Sequence, residues 1–241
     1  MATNRRNFLK TATLAGAGAM ASGLLPGCAP KQAASNLEEI LESVKKSHTQ
    51  KFNMSGYAAP AIPTVRIGII GLGDRGSGAV ERLSYIEGVE IKALGDKREV
   101  CVKESQKYLA STGRPAAREF FGDENIWKKL VEIPDLDLIY ICTPWILHTP
   151  ISVYSMENGK HVACEVPIAR TIDEAWQLVE TSEKTRKHCM MLENCCYDFF
   201  ELLTLNMARQ GMFGDIIHGE GAYIHNLMDY NFKKPLDDKQ A

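Results

Sequence analysis

The chain has 241 residues, 45% hydrophobic and 24% charged, with a formal net charge of −2 and a pI near 6.3. That length suits one large domain or two modest ones. The charge excludes a general nucleic-acid binder, whose phosphate contacts need a basic surface. No run of about 20 apolar residues follows the leader, so the body is not expected to span a membrane as a helix. Seven cysteines occur without a C-x-x-C pair. Cys195 and Cys196 are adjacent rather than ligand-spaced, and His188 beside Cys189 lacks a second ligand pair. Buried thiols are therefore expected, and no metal site.

At the N-terminus, Arg5 and Arg6 precede Phe8, Leu9 and Lys10, and a small-residue apolar segment runs from Thr11 to Leu25. Gly16, Gly18, Gly23 and Pro26 suit a soluble helix poorly. Residues 1–30 resemble a twin-arginine export signal, the address of proteins that fold before crossing the membrane. Cys28, after Leu25-Pro26-Gly27, resembles a lipoprotein cleavage site, with Pro26 an unusual residue there. The implied location is the periplasm, or the cell envelope through a lipid on Cys28. Residues 31–62 are polar and then Ala/Pro-rich. They read as a linker with one short amphipathic helix, Asn36 to Lys46.

Val65 to Ile70, VRIGII, reads as a buried parallel strand. It runs into Gly71, Gly73 and Gly76 with G-x-G-x-x-G spacing. In a dinucleotide site the first glycine makes the tight turn, the second admits the pyrophosphate, and the third lets the next helix pack close. That helix, expected over Ser77–Glu87, would present its free N–H groups to phosphate. A second strand, Val89 to Leu94, leads to Asp96, 20 residues past Gly76. There an acid accepts from the adenosine ribose hydroxyls and disfavours a 2′-phosphate, which points to NAD. Lys97 and Arg98 argue the other way, and Asp96 could instead cap the following helix.

The alternation continues with a strand at Leu138–Cys142, the turn TPWILH, a helix at Thr149–Asn158 stopped by Gly159, and a strand at His161–Glu165. A helix at Ile172–Thr185 and a strand at His188–Leu192 follow. This pattern predicts an α/β Rossmann fold, a doubly wound parallel sheet over residues 63–195. Ligands of such sheets sit at the carboxyl ends of the strands. Here those ends are the glycine loop, Asp96, Thr143–His148, Glu165 and Glu193–Asn194. A helix at Phe199–Gln210 and a strand at Asp215–His225 would then open an α+β second domain over residues 196–241.

These residues resemble the glucose–fructose oxidoreductase and inositol dehydrogenase superfamily through GIIGLGDRG, TPWILH and the E-x-P step. Dehydrogenases of that superfamily carry E-K-P, with the lysine as acid or base. Val166 stands in that place here, and valine moves no protons. The closer resemblance is to glycoside hydrolase family 109, NAD-dependent α-N-acetylgalactosaminidases. It rests on GLGDRGSG, CTPWILHTP, HVACEVP, MMLENCCYD and NMARQGMFGDIIHGEGAYIH, with the twin-arginine leader. The resemblance implies NAD contacts at Asp74, Arg75, Asp96, Trp145, Ile146, Leu147, His148, Glu165, Val166 and Asn194, and a sugar contact at Tyr223.

It also implies hydrolysis by transient oxidation at C3 of the sugar, elimination across C1 and C2, water addition and re-reduction. NAD is regenerated in each turnover, outside the usual two-carboxylate scheme. The family's Y-P-T-H segment, source of acid/base groups, does not occur in the chain. Its catalytic residues are thus expected beyond residue 241, the second domain is expected to be truncated, and the product inactive or unstable by itself. The implied substrate is a glycan with terminal α-GalNAc, and homo-oligomers are implied for the full-length protein. Two alternatives stand beside this reading: an NAD-dependent sugar or inositol dehydrogenase, and a non-catalytic exported sugar-binding protein.

Overall fold

The computed structural model describes residues 51–222, 224 and 226. The export signal, Cys28, the Asn36–Lys46 helix and Tyr223 lie outside them. The chain divides into two compact units, Met1–Met191 and Leu192–Ala241.

The first unit is built on β1 (Val65–Ile70), whose β-branched residues bury progressively toward its C-terminal end. The glycine loop follows, and α1 spans Asp74–Ser84. Then come β2 (Val89–Gly95), α2 (Glu99–Ser111), β3 (Arg118–Phe120) and α3 (Ile126–Val131). Beyond these lie β4 (Leu138–Ile141), a 3-10 turn at Trp145–Leu147, α4 (His148–Glu157) and β5 (His161–Glu165). The unit closes with α5 (Ile172–Thr185) and β6 (Cys189–Leu192). The strands form one sheet in the order β3-β2-β1-β4-β5-β6. β1 pairs in parallel with both β2 and β4, so the strand order reverses across β1.

Alternation along the strands sends side chains to opposite faces of the sheet. One core gathers Ile67, Ile69, Ile91 and Leu94 with Val80 of α1 and Val102 and Leu109 of α2. The other gathers Ile70, Ala93, Ile139, Ile141, Val162 and Cys164 with Leu130 of α3, Ile151 and Met156 of α4 and Leu178 of α5. Helices on both faces of a parallel sheet make the doubly wound architecture expected from the alternating pattern.

Several elements depart from the sequence reading. α1 starts at Asp74, directly after the second loop glycine, rather than at Ser77. The elements α2, β3 and α3 had no counterpart, because the buried face of α2 includes Cys101 and Ser105 and β3 is three residues long. Residues 51–62 carry no helix or strand but are fastened to the domain. Lys51 N donates to Glu183 Oε2 at 3.2 Å, and Ala59 N to His188 Nε2 at 3.3 Å.

In the second unit, α6 spans Phe199–Arg209. The strand expected at Asp215–His225 is absent among the described residues, which from 215 onward are exposed and carry no strand. Ile217 is 97% exposed. Alternating apolar residues propose a strand, but only a hydrogen-bonded neighbour makes one.

Candidate functional site: the carboxyl rim of the sheet

The glycine loop is shaped by close backbone approach. Gly71 has φ +87, and a Cβ there would lie 2.6 Å from the Cys142 carbonyl at the end of β4. A Cβ on Gly76 would fall directly onto the Gly71 carbonyl oxygen. Both positions exclude every larger residue, and the cradle they leave suits a diphosphate backed by the N-terminus of α1. Asp74, exposed in the first turn of that helix, places a negative charge at the same end.

Asp96 closes the loop from below. Leu72 N donates to its Oδ2 at 2.7 Å, and Arg98 N donates to its Oδ1 at 2.8 Å. The carboxylate is 9% exposed. Oδ2 retains a second lone pair, so Asp96 both pins the glycine loop and can accept from a ribose hydroxyl. The cap of α2 is Arg98, not Asp96, and its guanidinium reaches back to Asp96 Oδ1 at 3.5 Å.

Glu165, the last residue of β5, is 7% exposed. Arg75 Nη2 donates to its Oε2 at 3.0 Å and Tyr140 Oη to its Oε1 at 3.3 Å. The Glu165 hydrogen bond raises the pKa of Arg75 above its ordinary value. Burial, reinforced by the Glu165 carboxylate, pushes the Cys142 thiol up to about 12, so it is neutral and no nucleophile. The Val166–Pro167 peptide is cis, and the Val166 side chain is partly exposed beside the charged cluster.

In the turn after β4, Trp145 and Ile146 are 63% and 59% exposed, and Leu147 is half-buried. His148, expected as a cofactor contact, is turned inward. Its ring is 1% exposed, with Nδ1 2.7 Å from the Pro167 carbonyl oxygen and Nε2 2.7 Å from that of Thr143. The ring is wedged between the turn after β4 and the loop after β5, and in its neutral form its one N–H serves one of the two carbonyls. Thr149 Oγ1 adds a second tie to the Ile168 carbonyl at 3.1 Å.

The first unit thus brings together Gly71, Gly73, Gly76, Arg75, Asp96, Glu165 and Val166 at the carboxyl ends of β1, β2 and β5. Asn194 belongs to the second unit, at the start of a 3-10 turn over Cys195–Tyr197. Tyr140 was missed by sequence reasoning. Its signal was a phenol set in an otherwise aliphatic strand, LIYI.

Residues 65–193, more than half of the chain, match the family described as "Oxidoreductase family, NAD-binding Rossmann fold". The chain belongs to that family. Residues 197–240 match the glycosyl hydrolase 109 C-terminal domain. Among curated proteins, the chain is 55% identical over 190 residues to a glycosyl hydrolase family 109 protein of Porphyromonas gingivalis, covering 79% of this chain and 40% of that one. It is 56% identical over 177 residues to an alpha-N-acetylgalactosaminidase of Bacteroides fragilis, covering 73% of this chain and 41% of that one. The chain therefore spans about two fifths of the length of the curated relatives it matches. In fold it is similar to apo scyllo-inositol dehydrogenase from Lactobacillus casei, with a TM-score of 0.57 and 22% identity over 64% of this chain and 44% of that one. A probable dehydrogenase from Thermotoga maritima gives a TM-score of 0.55 at 24% identity, over 62% of this chain and 42% of that one. Membership of this family makes NAD the cofactor, and the glycine cradle and Asp96 fit it.

Proposed function

We propose that this chain is the NAD-binding part of a family 109 glycoside hydrolase that removes terminal α-N-acetylgalactosamine through transient oxidation of the sugar. The observation that carries the reading is the Glu165–Val166 step. Glu165 is buried, fixed by Arg75 and Tyr140, and followed by a side chain that moves no proton. A site that orients a nicotinamide ring but has no proton carrier beside it suits a reaction whose acid and base come from elsewhere in the protein. The identity to the relatives above and the match of residues 197–240 support the same assignment.

In this reading bound NAD supplies a reversible hydride acceptor. The chain's own residues do the holding. Main-chain N–H groups of the glycine loop and Arg75 take the diphosphate, and Asp96 takes the adenosine ribose. Glu165 and Asn194 serve the nicotinamide ribose, and Trp145 offers a ring face. Tyr223 would touch the sugar. The leader, with Arg5, Arg6 and Cys28, supports export by the twin-arginine route to the periplasm or to a lipid anchor at the envelope. Assembly into homo-oligomers belongs to the same proposal.

The test is an aryl α-N-acetylgalactosaminide assay on the gene product that carries this chain, with bound dinucleotide measured by mass and absorbance. Aglycone release with retained NAD and no net NADH is expected. Free sugar accompanied by NADH would make the protein a dehydrogenase. Absence of both bound dinucleotide and turnover would leave a sugar-binding protein.

A further inference from the structure

Tyr140 has no part in the contacts that the sequence or the family resemblance assigns. It sits on β4, whose other residues are aliphatic, and its phenol is the one polar group that strand sends toward the glycine-loop helix. In the parallel register Tyr140 lies beside Ala163 of β5. Side chains two apart share a face, so Ala163 and Glu165 point to the same side as Tyr140. That is the side covered by α1, against whose core Tyr140 packs. Sheet register alone therefore delivers the phenol to the Glu165 carboxylate.

The contact completes a two-sided grip. Arg75, from the first turn of α1, holds Glu165 Oε2 at 3.0 Å, and Tyr140 donates to Oε1 at 3.3 Å. One donor is charged and half-exposed, with a side chain that a diphosphate can attract away. The other is neutral, rooted in the sheet and unable to leave. Arg82 of α1 also faces the phenol, but burial dominates and pushes Tyr140 up to about 12, so it stays a donor through the physiological range. A phenylalanine would fill the same volume and pack against the same core. Only the hydroxyl distinguishes tyrosine here; it donates to Glu165 and can accept from Arg82, which itself has no hydrogen bond to Glu165 among the described residues.

Resting on the NAD reading above, we infer that Tyr140 is a positioning residue for the nicotinamide half of the cofactor. It keeps the Glu165 carboxylate aimed along the rim when Arg75 turns to the diphosphate. It touches neither cofactor nor sugar and acts only through Glu165.

Calorimetric titration of the full chain with NAD and, separately, with ADP tests this, using wild type, Tyr140→Phe, Glu165→Gln and the double variant. ADP carries the adenosine and diphosphate but no nicotinamide ribose. Tyr140→Phe should weaken NAD about threefold to tenfold, the net scale of one ordinary hydrogen bond. Its ADP affinity should stay at the wild-type value. The double variant should bind NAD no more weakly than Glu165→Gln alone, because the hydroxyl has no other route to the cofactor. Wild-type NAD affinity in Tyr140→Phe overturns the inference. So does an equal loss for NAD and ADP, which marks general damage, and so do additive losses in the double variant. If the wild-type chain binds ADP but gains nothing from the nicotinamide half, the inference falls while the nucleotide cradle stands. If it binds neither, the cofactor reading falls with it.

Discussion

Arg75 and Glu165 stand 90 positions apart in the chain and 3.0 Å apart in space. One comes from the first turn of the helix after the glycine loop, the other from the end of β5, and they meet because β4 alone separates β1 from β5 in the sheet. The pair sets an exposed cation beside a buried carboxylate where a diphosphate would arrive. Arg75→Met should therefore lower NAD affinity by roughly tenfold, since both the diphosphate and Glu165 lose a charged donor. Its cost to folding should stay below about 1 kcal/mol, because half-exposed ion pairs contribute little. Calorimetry and thermal unfolding on the same preparation separate the two effects.

Asp96 is expected to show the opposite balance. Asp96→Ala strips the buried Leu72 N–H of the acceptor it holds at 2.7 Å. An unsatisfied buried donor costs about 1–3 kcal/mol, so this variant should lose both stability and NAD binding. Asp96→Asn keeps an acceptor oxygen for Leu72 and should retain most of the stability while still binding NAD more weakly. Urea denaturation with and without NAD distinguishes the pair of variants.

His148 is expected to matter for the rim and not for cofactor contact. His148→Leu keeps the volume but removes both ring nitrogens from the Thr143 and Pro167 carbonyls. A loss of about 1–3 kcal/mol follows from the one buried carbonyl left without its donor. Hydrogen exchange should accelerate at residues 143–149 and 165–169 while the amides of β1 and β2 remain protected. Equal acceleration across the sheet would contradict a local brace.

A pH dependence is expected where residues 51–62 meet the sheet. His188 N donates to His161 Nδ1 at 3.0 Å, and Ala59 N donates to His188 Nε2 at 3.3 Å. Tyr57 packs on the His188 ring, and Arg186 lies over Phe52. His161 Nδ1 accepts here, which it cannot do once protonated. Burial, with Lys187 and His188 adding and Asp137 opposing, holds the His161 pKa below its ordinary 6.5. The neutral ring is the folded form. Its stabilising contribution is therefore complete above about pH 6.5 and is lost as the pH falls from there through the lowered folded value. Melting temperature should drop over that window in wild type and respond less in His161→Asn, which keeps an acceptor that does not titrate.

Local pattern was enough for much of the fold. The strands Val65–Ile70 and His161–Glu165 and the helix Ile172–Thr185 are legible because each is a run of one periodicity bounded by glycine, proline or a capping residue. Thr171 caps that helix by accepting from Glu174 N at 3.1 Å, a signal four residues wide. The stretch from 99 to 137 resisted because its helix buries Cys101 and Ser105 beside aliphatic residues, which blurs the apolar stripe. The expected strand after Asp215 failed for a different reason. Its alternation is real, but a strand is a property of two chain segments and not of one.

By itself, then, the sequence determined the glycine cradle, the acid at the end of β2 and the carboxylate at the end of β5. Each depends on residue type at a short spacing from a strand that announces itself. Only the tertiary structure decided what those groups touch: Asp96 bonded to Leu72, Glu165 gripped by Arg75 and Tyr140, and His148 turned inward between two carbonyls. Apart from Thr143, those partners lie 19 to 90 positions away along the chain. They are chosen by the order in which parallel strands lie side by side, which no local window of residues encodes.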